Sequence, residues 1–308
     1  MKILNSLQSY KSNKPATVTI GSFDGVHLGH QKVLNDLKQI AKNSDSHSVV
    51  ISFEPHPRLF FNPGAGLRLL TTNDEKIDLL AKQNIDYLIL QKFDKDFSNQ
   101  TAEDFIKALV DNLNMKHLLI GHDHQFGKNR QGNFELIQAL SNKYGFKTHQ
   151  IKPLTVDGIK VSSTLIREAL QNGHISLANK LLGYPYFING EVVTGNQLGR
   201  TIGFPTANIN IQSEHKLLPK QGVYVVKSII DGQEINGMMN LGLRPTVDGT
   251  KQIMEVHFFN FDKDIYGRKI PIYFVERLRD ELKFPSLEAL KAQLKKDAEK
   301  SLKILGKK

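Results

Sequence analysis

The sequence predicts two architectures in one chain: an α/β half built on a doubly wound parallel sheet, then a small antiparallel β-barrel closed by a C-terminal helix. At 308 residues the chain exceeds the size at which a single hydrophobic core usually suffices. Up to Gly183, short apolar β-branched runs alternate with stretches of helical periodicity, the rhythm of βαβ units. Beyond it, strand-like segments follow one another across Gly/Asn/Asp turns with no helix between them, the pattern of a meander that closes on itself. The breakers of Leu-Leu-Gly-Tyr-Pro-Tyr put the boundary between Gly183 and Tyr186, giving domains 1–183 and 184–308.

In order along the chain, Ala16–Ile20 reads as a strand buried on both faces, and Val33, Leu34, Leu37 and Ile40 recur at helical spacing after it. Ser48–Phe53, Tyr87–Leu90 and His117–Gly121 read as further parallel strands. Thr72 and Glu75 form a capping box for a helix through Ala81, and Thr101 opens another through Leu113. The run Val161–Arg167 precedes a helix expected over Glu168–Gln171. In the second half, Gly190–Val193, Gly222–Val226 and Met254–Phe259 have strand length and composition. Ser286 caps a last helix with Leu287, Leu290 and Leu294 as its apolar stripe.

Composition removes several function classes. No stretch approaches the roughly 18 to 20 apolar residues of a membrane span, and the segment Met1–Ser6 has no signal-peptide core, so no membrane role is expected. The absence of cysteine rules out disulfides and thiolate metal sites and suits a reducing cytoplasm. A net charge of +10 favours anionic partners. Because basic residues are interleaved with acids everywhere except the tail from Lys291, no nucleic-acid partner is expected, and phosphorylated small molecules fit the same field. Oligomeric state is left open.

The chemistry is concentrated in a few strings. Gly21-Ser-Phe-Asp-Gly-Val-His-Leu-Gly-His30 sets His27 and His30 three residues apart where a strand gives way to a helix. Amides at a helix start have no partner within the helix and carry the positive end of its dipole, so a polyphosphate is the natural guest. Both imidazoles fall on the first turn, within reach of one anion. Pro55-His56-Pro57 and Asp123 follow the next strands at the same carboxyl edge, where ligands of such sheets bind. Ser162, Ser163 and Thr164, followed by Arg167, supply hydroxyls and a guanidinium fork for phosphate oxygens. The stretch Gly121–Gly132 is not a P-loop, because five residues separate Gly121 from Gly127 and Asn129 stands where a Ser or Thr is required. In the second half, Gly199 and Gly203 allow close backbone approach to phosphates, while the Thr206 hydroxyl and Asn208 carbonyl are hard oxygen ligands suited to Mg²⁺.

His27-Leu-Gly-His30 resembles the His-x-Gly-His signature of nucleotidylyltransferases, and Gly121–Gly132 is similar to the Gly-x-Asp-Phe-x-Phe-Gly stretch of FAD synthetases, with His124 in place of the first phenylalanine. Pro205-Thr-Ala-Asn208 resembles the metal-nucleotide site of riboflavin kinases, and Asn240–Thr246, Met254–His257, Tyr266-Gly267 and Arg277–Phe284 extend that likeness. In order and over nearly the whole chain, these strings resemble the bacterial bifunctional riboflavin kinase/FMN adenylyltransferase family. The resemblance implies a nucleotidylyltransferase half that joins FMN to AMP from ATP, giving FAD and pyrophosphate, and a barrel that phosphorylates riboflavin, with Mg²⁺ in both. It implies that His27 and His30 stabilise charge at the α-phosphate, and that Gly21, Phe23, Asp24, Gly29, Ser163, Thr164 and Arg167 contact that nucleotide. Asp123 and Phe126 would border the flavin there. In the barrel, Gly199, Thr201, Gly203, Thr206 and Asn208 would bind Mg-ATP, Arg279 the flavin, and Glu255 would act as general base. Two alternatives stand beside this: an adenylyltransferase whose barrel binds flavin without turning it over, and a flavin-responsive nucleic-acid binder using the basic tail.

Overall fold

A computed structural model describes residues 1–64, 66–121, 126–127, 131–195, 199, 202–246 and 249–306. The chain divides into two compact units, Met1–Ser163 and Thr164–Lys308. That contact boundary precedes the compositional one at 183/184, because the two helices after Thr164 belong with the strands that follow.

In the first unit, β1 (Lys2–Leu4), β2 (Ala16–Ile20), β3 (His47–Glu54), β4 (Tyr87–Lys92), β5 (Met115–Gly121) and β6 (Lys147–Ile151) form one parallel sheet in the order β1-β4-β3-β2-β5-β6. Chain order runs outward from β2 through β3 to β4 and then resumes on the other side of β2 with β5. The direction of winding therefore switches beside β2, and the carboxyl ends of β3, β2 and β5 stand side by side. Helices α1 (Leu28–Asn43), α2 (Pro57–Phe61), α3 (Asn73–Ala81), α4 (Lys95–Ser98), α5 (Ala102–Leu113) and α6 (Phe134–Tyr144) make the connections, and β7 (Thr155–Val156) with β8 (Ile159–Lys160) form a small hairpin. The expected capping box is present: the Thr72 hydroxyl accepts from Glu75 N–H and Glu75 accepts from Thr72 N–H. Helix α1 buries Leu34 and Leu37 of the expected stripe together with Ala41, while Val33 and Ile40 are half-buried.

Helix α7 (Ser163–Gln171) begins five residues earlier than the sequence pattern predicts, which puts Thr164 and Arg167 on the helix rather than ahead of it. In the second unit, α7 and α8 (Ile175–Leu182) precede β9 (Phe187–Val193), β10 (Ala207–Asn210), β11 (Gly222–Ile230), β12 (Gln233–Thr246), β13 (Gly249–Phe258) and β14 (Lys269–Arg279). Those strands close an antiparallel barrel in the order β10-β13-β12-β11-β14-β9. The C-terminal helix α9 (Leu287–Leu305) is capped by Ser286, as expected, and packs on β12 and β14. Its inward stripe differs from the expected one. Leu287 is exposed, Leu290 and Leu294 are half-buried, and the stripe continues at the same spacing through Asp297 and Ser301, both fully buried.

Candidate active sites

The first site is a strained turn feeding a helix. Phe23, Gly25 and Val26 have φ of 50°, 83° and 33°, a conformation that costs a β-branched residue about 1 to 3 kcal/mol and persists only where surroundings enforce it. The enforcing group is Asp24. Its buried carboxylate accepts from the N–H groups of Leu70 (3.1 Å) and Thr71 (3.0 Å) and from the Thr71 hydroxyl (3.2 Å), and that hydroxyl accepts from Gly25 N–H (3.1 Å). Ser163 donates its hydroxyl to the Asp24 carbonyl (3.1 Å). Beneath the turn, the buried Lys76 ammonium donates to Ser52 Oγ (3.1 Å), which donates to the Ser22 carbonyl (3.2 Å). Burial holds Lys76 below the usual lysine range, with Glu54 and Asp24 opposing.

His27 is the N-cap of α1, and its Nδ1 accepts from His30 N–H (3.3 Å). In the neutral ring the proton therefore sits on Nε2. The two imidazoles stack with centroids 3.6 Å apart and planes within 15°. His30 is pushed well below its ordinary value of 6.5, first by burial and then by His27, and its buried Nδ1 has no partner among the described residues. A Cβ at Gly29 would lie 3.1 Å from His27 Cε1 and 3.2 Å from Nδ1, so the space above this glycine is filled by the imidazole. Gly21 plays the same part for Phe23, whose ring would meet a Cβ there at 3.1 Å and which also leans on His30 (5.1 Å between centroids).

Other first-unit positions are placed as follows. His56 caps α2, accepting from Arg58 N–H at 3.1 Å. Phe126 packs edge-on against Phe105 (5.7 Å). From there a run of edge-to-face rings continues through Phe97, Phe93 and Phe60 to Phe61, which is 66% exposed. Asp123 and His124 lie outside the described residues, as does Thr201. In the second unit Thr164 is exposed and Arg167 half-buried.

The second site is a pocket of about 260 Å³ on the barrel, walled by Thr206, Asn240, Glu255, His257, Arg279 and Glu281 and floored by Phe284, Leu290 and Leu294 of the C-terminal segment. Antiparallel register pairs Asn208 with Glu255 and Glu255 with Asn240, so the carboxylate stands between two amide residues on the same face of three adjacent strands. Gly199 also lines the pocket, its carbonyl accepts from Phe204 N–H (2.8 Å), and Gly203 has φ 83°. His257 Nδ1–H donates to the Pro205 carbonyl (2.8 Å). Asn240 donates to Glu281 Oε1 (3.1 Å). Asn240, His257 and Glu281 appear in the quoted strings but carry no signal of their own, because only strand pairing brings them to Glu255. Among the described residues no three His, Cys, Asp or Glu side chains converge as a metal cage. The oxygen donors of Thr206 and Asn208 fit a Mg²⁺ that keeps waters and takes its remaining ligands from phosphate.

The FAD synthetase family model matches residues 9–165 and the riboflavin kinase family model residues 182–305. A bifunctional riboflavin kinase/FMN adenylyltransferase of Haemophilus influenzae is 47% identical over 92% of this chain and 92% of that protein, and one of Bacillus subtilis is 36% identical over 94% and 93%. A solved structure described as a macrolide-efflux protein from Streptococcus pneumoniae aligns with a TM-score of 0.88 at 32% identity, covering 96% of this chain and 97% of that one. Among the described residues of this chain no helix is long and apolar enough to cross a membrane. With both halves matched in order and relatives aligned nearly end to end, the chain belongs to the bifunctional riboflavin kinase/FMN adenylyltransferase family.

Proposed function

We propose that this protein makes FAD from riboflavin in two ATP-dependent steps, using residues 184–308 as the kinase and residues 1–183 as the adenylyltransferase. The observation that carries the reading is the occurrence of two separate ligand-ready sites, the His27/His30 turn and the Glu255 pocket, each within its own family match.

In the barrel, Glu255 takes the proton of the ribityl terminal hydroxyl as that oxygen attacks the γ-phosphorus of ATP and ADP departs with the bridging oxygen. The flanking Asn208 and Asn240 keep the carboxylate in register with the substrate, and Gly199, Thr201 and Gly203 let the backbone approach the triphosphate. Thr206 and Asn208 are the residues that would hold Mg²⁺, which when bound offsets charge on the transferring phosphoryl group. Arg279 and the apolar floor receive the flavin.

In the first half, an oxygen of the FMN phosphate attacks the α-phosphorus of a second ATP and pyrophosphate departs, with no covalent enzyme intermediate. His27 Nε2–H, His30 and the positive end of the α1 dipole stabilise the charge that builds on the phosphoryl oxygens. Asp24, Gly21 and Phe23 hold the turn that aims them. Ser163, Thr164 and Arg167 grip the triphosphate, and Asp123 and Phe126 border the flavin, with the exposed end of the phenylalanine run offering a flat apolar surface to its ring. We place the protein in the cytoplasm, in keeping with a sequence free of cysteine.

Incubation with riboflavin, ATP and Mg²⁺ followed by separation of riboflavin, FMN and FAD tests both steps at once. His30→Ala should stop FAD formation and leave FMN accumulating. Glu255→Ala should stop FMN formation while FAD still forms from supplied FMN. Loss of both activities in either folded variant would refute the assignment of one site to each step.

A further inference from the structure

The buried carboxylate of Asp297 is unexplained by either site. It sits on α9 at a position where the helix spacing calls for an apolar residue, between Leu294 and Ser301, and is only 3% exposed. Burying an ionised carboxylate is costly unless it is paired and its lone pairs are filled. Here they are. Arg279 Nε donates to both oxygens (3.1 Å each), Arg279 Nη2 to Oδ2 (2.6 Å) and Gln293 Nε2 to Oδ1 (2.9 Å). The third guanidinium nitrogen, Nη1, donates to the Asp280 carbonyl (2.9 Å), and the cation lies 5.9 Å from the Phe284 ring centroid.

This arrangement fixes more than one arginine. Arg279 lines the Glu255 pocket, and its bond to the Asp280 carbonyl fixes the backbone immediately before Glu281. Glu281 in turn accepts from Asn240, which stands opposite Glu255 across β12 and β13. Asp297 lies outside the pocket lining yet is bonded to a residue of its wall, while Leu290 and Leu294 of the same helix face form its floor.

We propose that Asp297 is the positioning residue of the flavin pocket: its fork with Arg279 locks the guanidinium plane and the 279–281 segment against α9, preforming the wall on which the flavin ring seats. The inference rests on the pocket being the riboflavin kinase site. A carboxylate does this where a leucine would not, because a planar bidentate pair sets the orientation of the arginine as well as its position. Preformation lowers the ordering cost of binding, so the effect falls on flavin affinity more than on turnover.

The test compares the full-length chain with Asp297→Asn, Arg279→Lys, Arg279→Gln, the Asp297→Asn/Arg279→Gln double variant and Gln293→Leu. Riboflavin binding is read from quenching of flavin fluorescence, and phosphorylation from separate KM and kcat values. Adenylyl transfer from supplied FMN and thermal melting report folding. Asp297→Asn should weaken riboflavin binding and raise its KM about tenfold, with kcat changed less than threefold and adenylyl transfer unchanged. Arg279→Lys should not retain affinity, since an ammonium has no fork. The double variant should be no worse than the poorer single one. Gln293→Leu, which removes one hydrogen bond without stranding a charge, should give a smaller shift in the same direction and carries the test should Asp297→Asn fail to fold. Riboflavin affinity within twofold of wild type in Asp297→Asn or, where that variant does not fold, in Gln293→Leu would overturn the proposal. So would single-variant effects that simply add in the double variant. Unchanged phosphorylation in Glu255→Gln would instead remove the site reading beneath it.

Discussion

Replacing Gly29 by alanine separates stability from catalysis in a way the geometry makes quantitative. An added Cβ would stand 3.1 Å from His27 Cε1 and 3.2 Å from Nδ1, too close by a few tenths of an ångström, and the ring has little room to retreat because His30 is stacked 3.6 Å away. Alanine in place of a helical glycine is worth up to about 1 kcal/mol, and displacing the ring from its seat costs a similar amount, so the melting temperature should move by no more than a few degrees. Adenylyl transfer should respond far more. Misplacing a catalytic group by about 1 Å can cost about 100-fold; a displacement of a few tenths should cost about tenfold, or about 1.4 kcal/mol of barrier. Initial rates of FAD formation from FMN and ATP measure this, with riboflavin phosphorylation by the same protein as control. A rate within twofold of wild type in a variant that melts normally would refute the claim that Gly29 exists to seat His27.

Burial depresses His30, so at pH values between its lowered value and 6.5 the unfolded chain holds more protons than the folded one. Stability should then fall as pH drops below about 6.5, with a slope of up to about 1.4 kcal/mol per pH unit from this group, and His30→Gln should flatten that slope in denaturant melts at pH 5 to 8; an unaltered slope would count against a buried neutral imidazole. Asp24→Ala leaves two backbone amides and the Thr71 hydroxyl without their acceptor, so denaturant unfolding should show a loss of about 3 kcal/mol, together with falling adenylyl transfer as the 23–26 turn relaxes. Retained activity at that reduced stability would show that the turn does not depend on Asp24.

Much of the architecture is legible locally. The β-branched run Ala16–Ile20, the capping box at Thr72 and Glu75, and the Ser286 cap each report conformation through neighbours a few residues away, and each element forms where the pattern predicts it. The spacing of His27 and His30 likewise determines an N-cap and first-turn pair, because helical geometry alone relates positions three apart. Short β1 and edge strand β6 escape the pattern, having no continuous apolar run to mark them. The start of α7 escapes it too: the pattern places Ser163 and Thr164 ahead of the helix, and both fall within it.

What the sequence by itself determined was the two-part organisation and the strings from which the candidate site residues come. Only the tertiary structure decided their company. Asn240 meets Glu255 across the β12–β13 hairpin, and Asn208 joins them because β10, from earlier in the chain, pairs with β13 in the closed barrel. His27 lies over Gly29 at the end of a turn that Asp24 straps to residues 70 and 71. Asp297 is buried rather than solvated because Arg279 arrives from the end of β14 to neutralise it. Local pattern encodes the period of an element and the chemistry of its ends; pairing between distant segments depends on which surfaces are buried together, and that is a property of the folded chain.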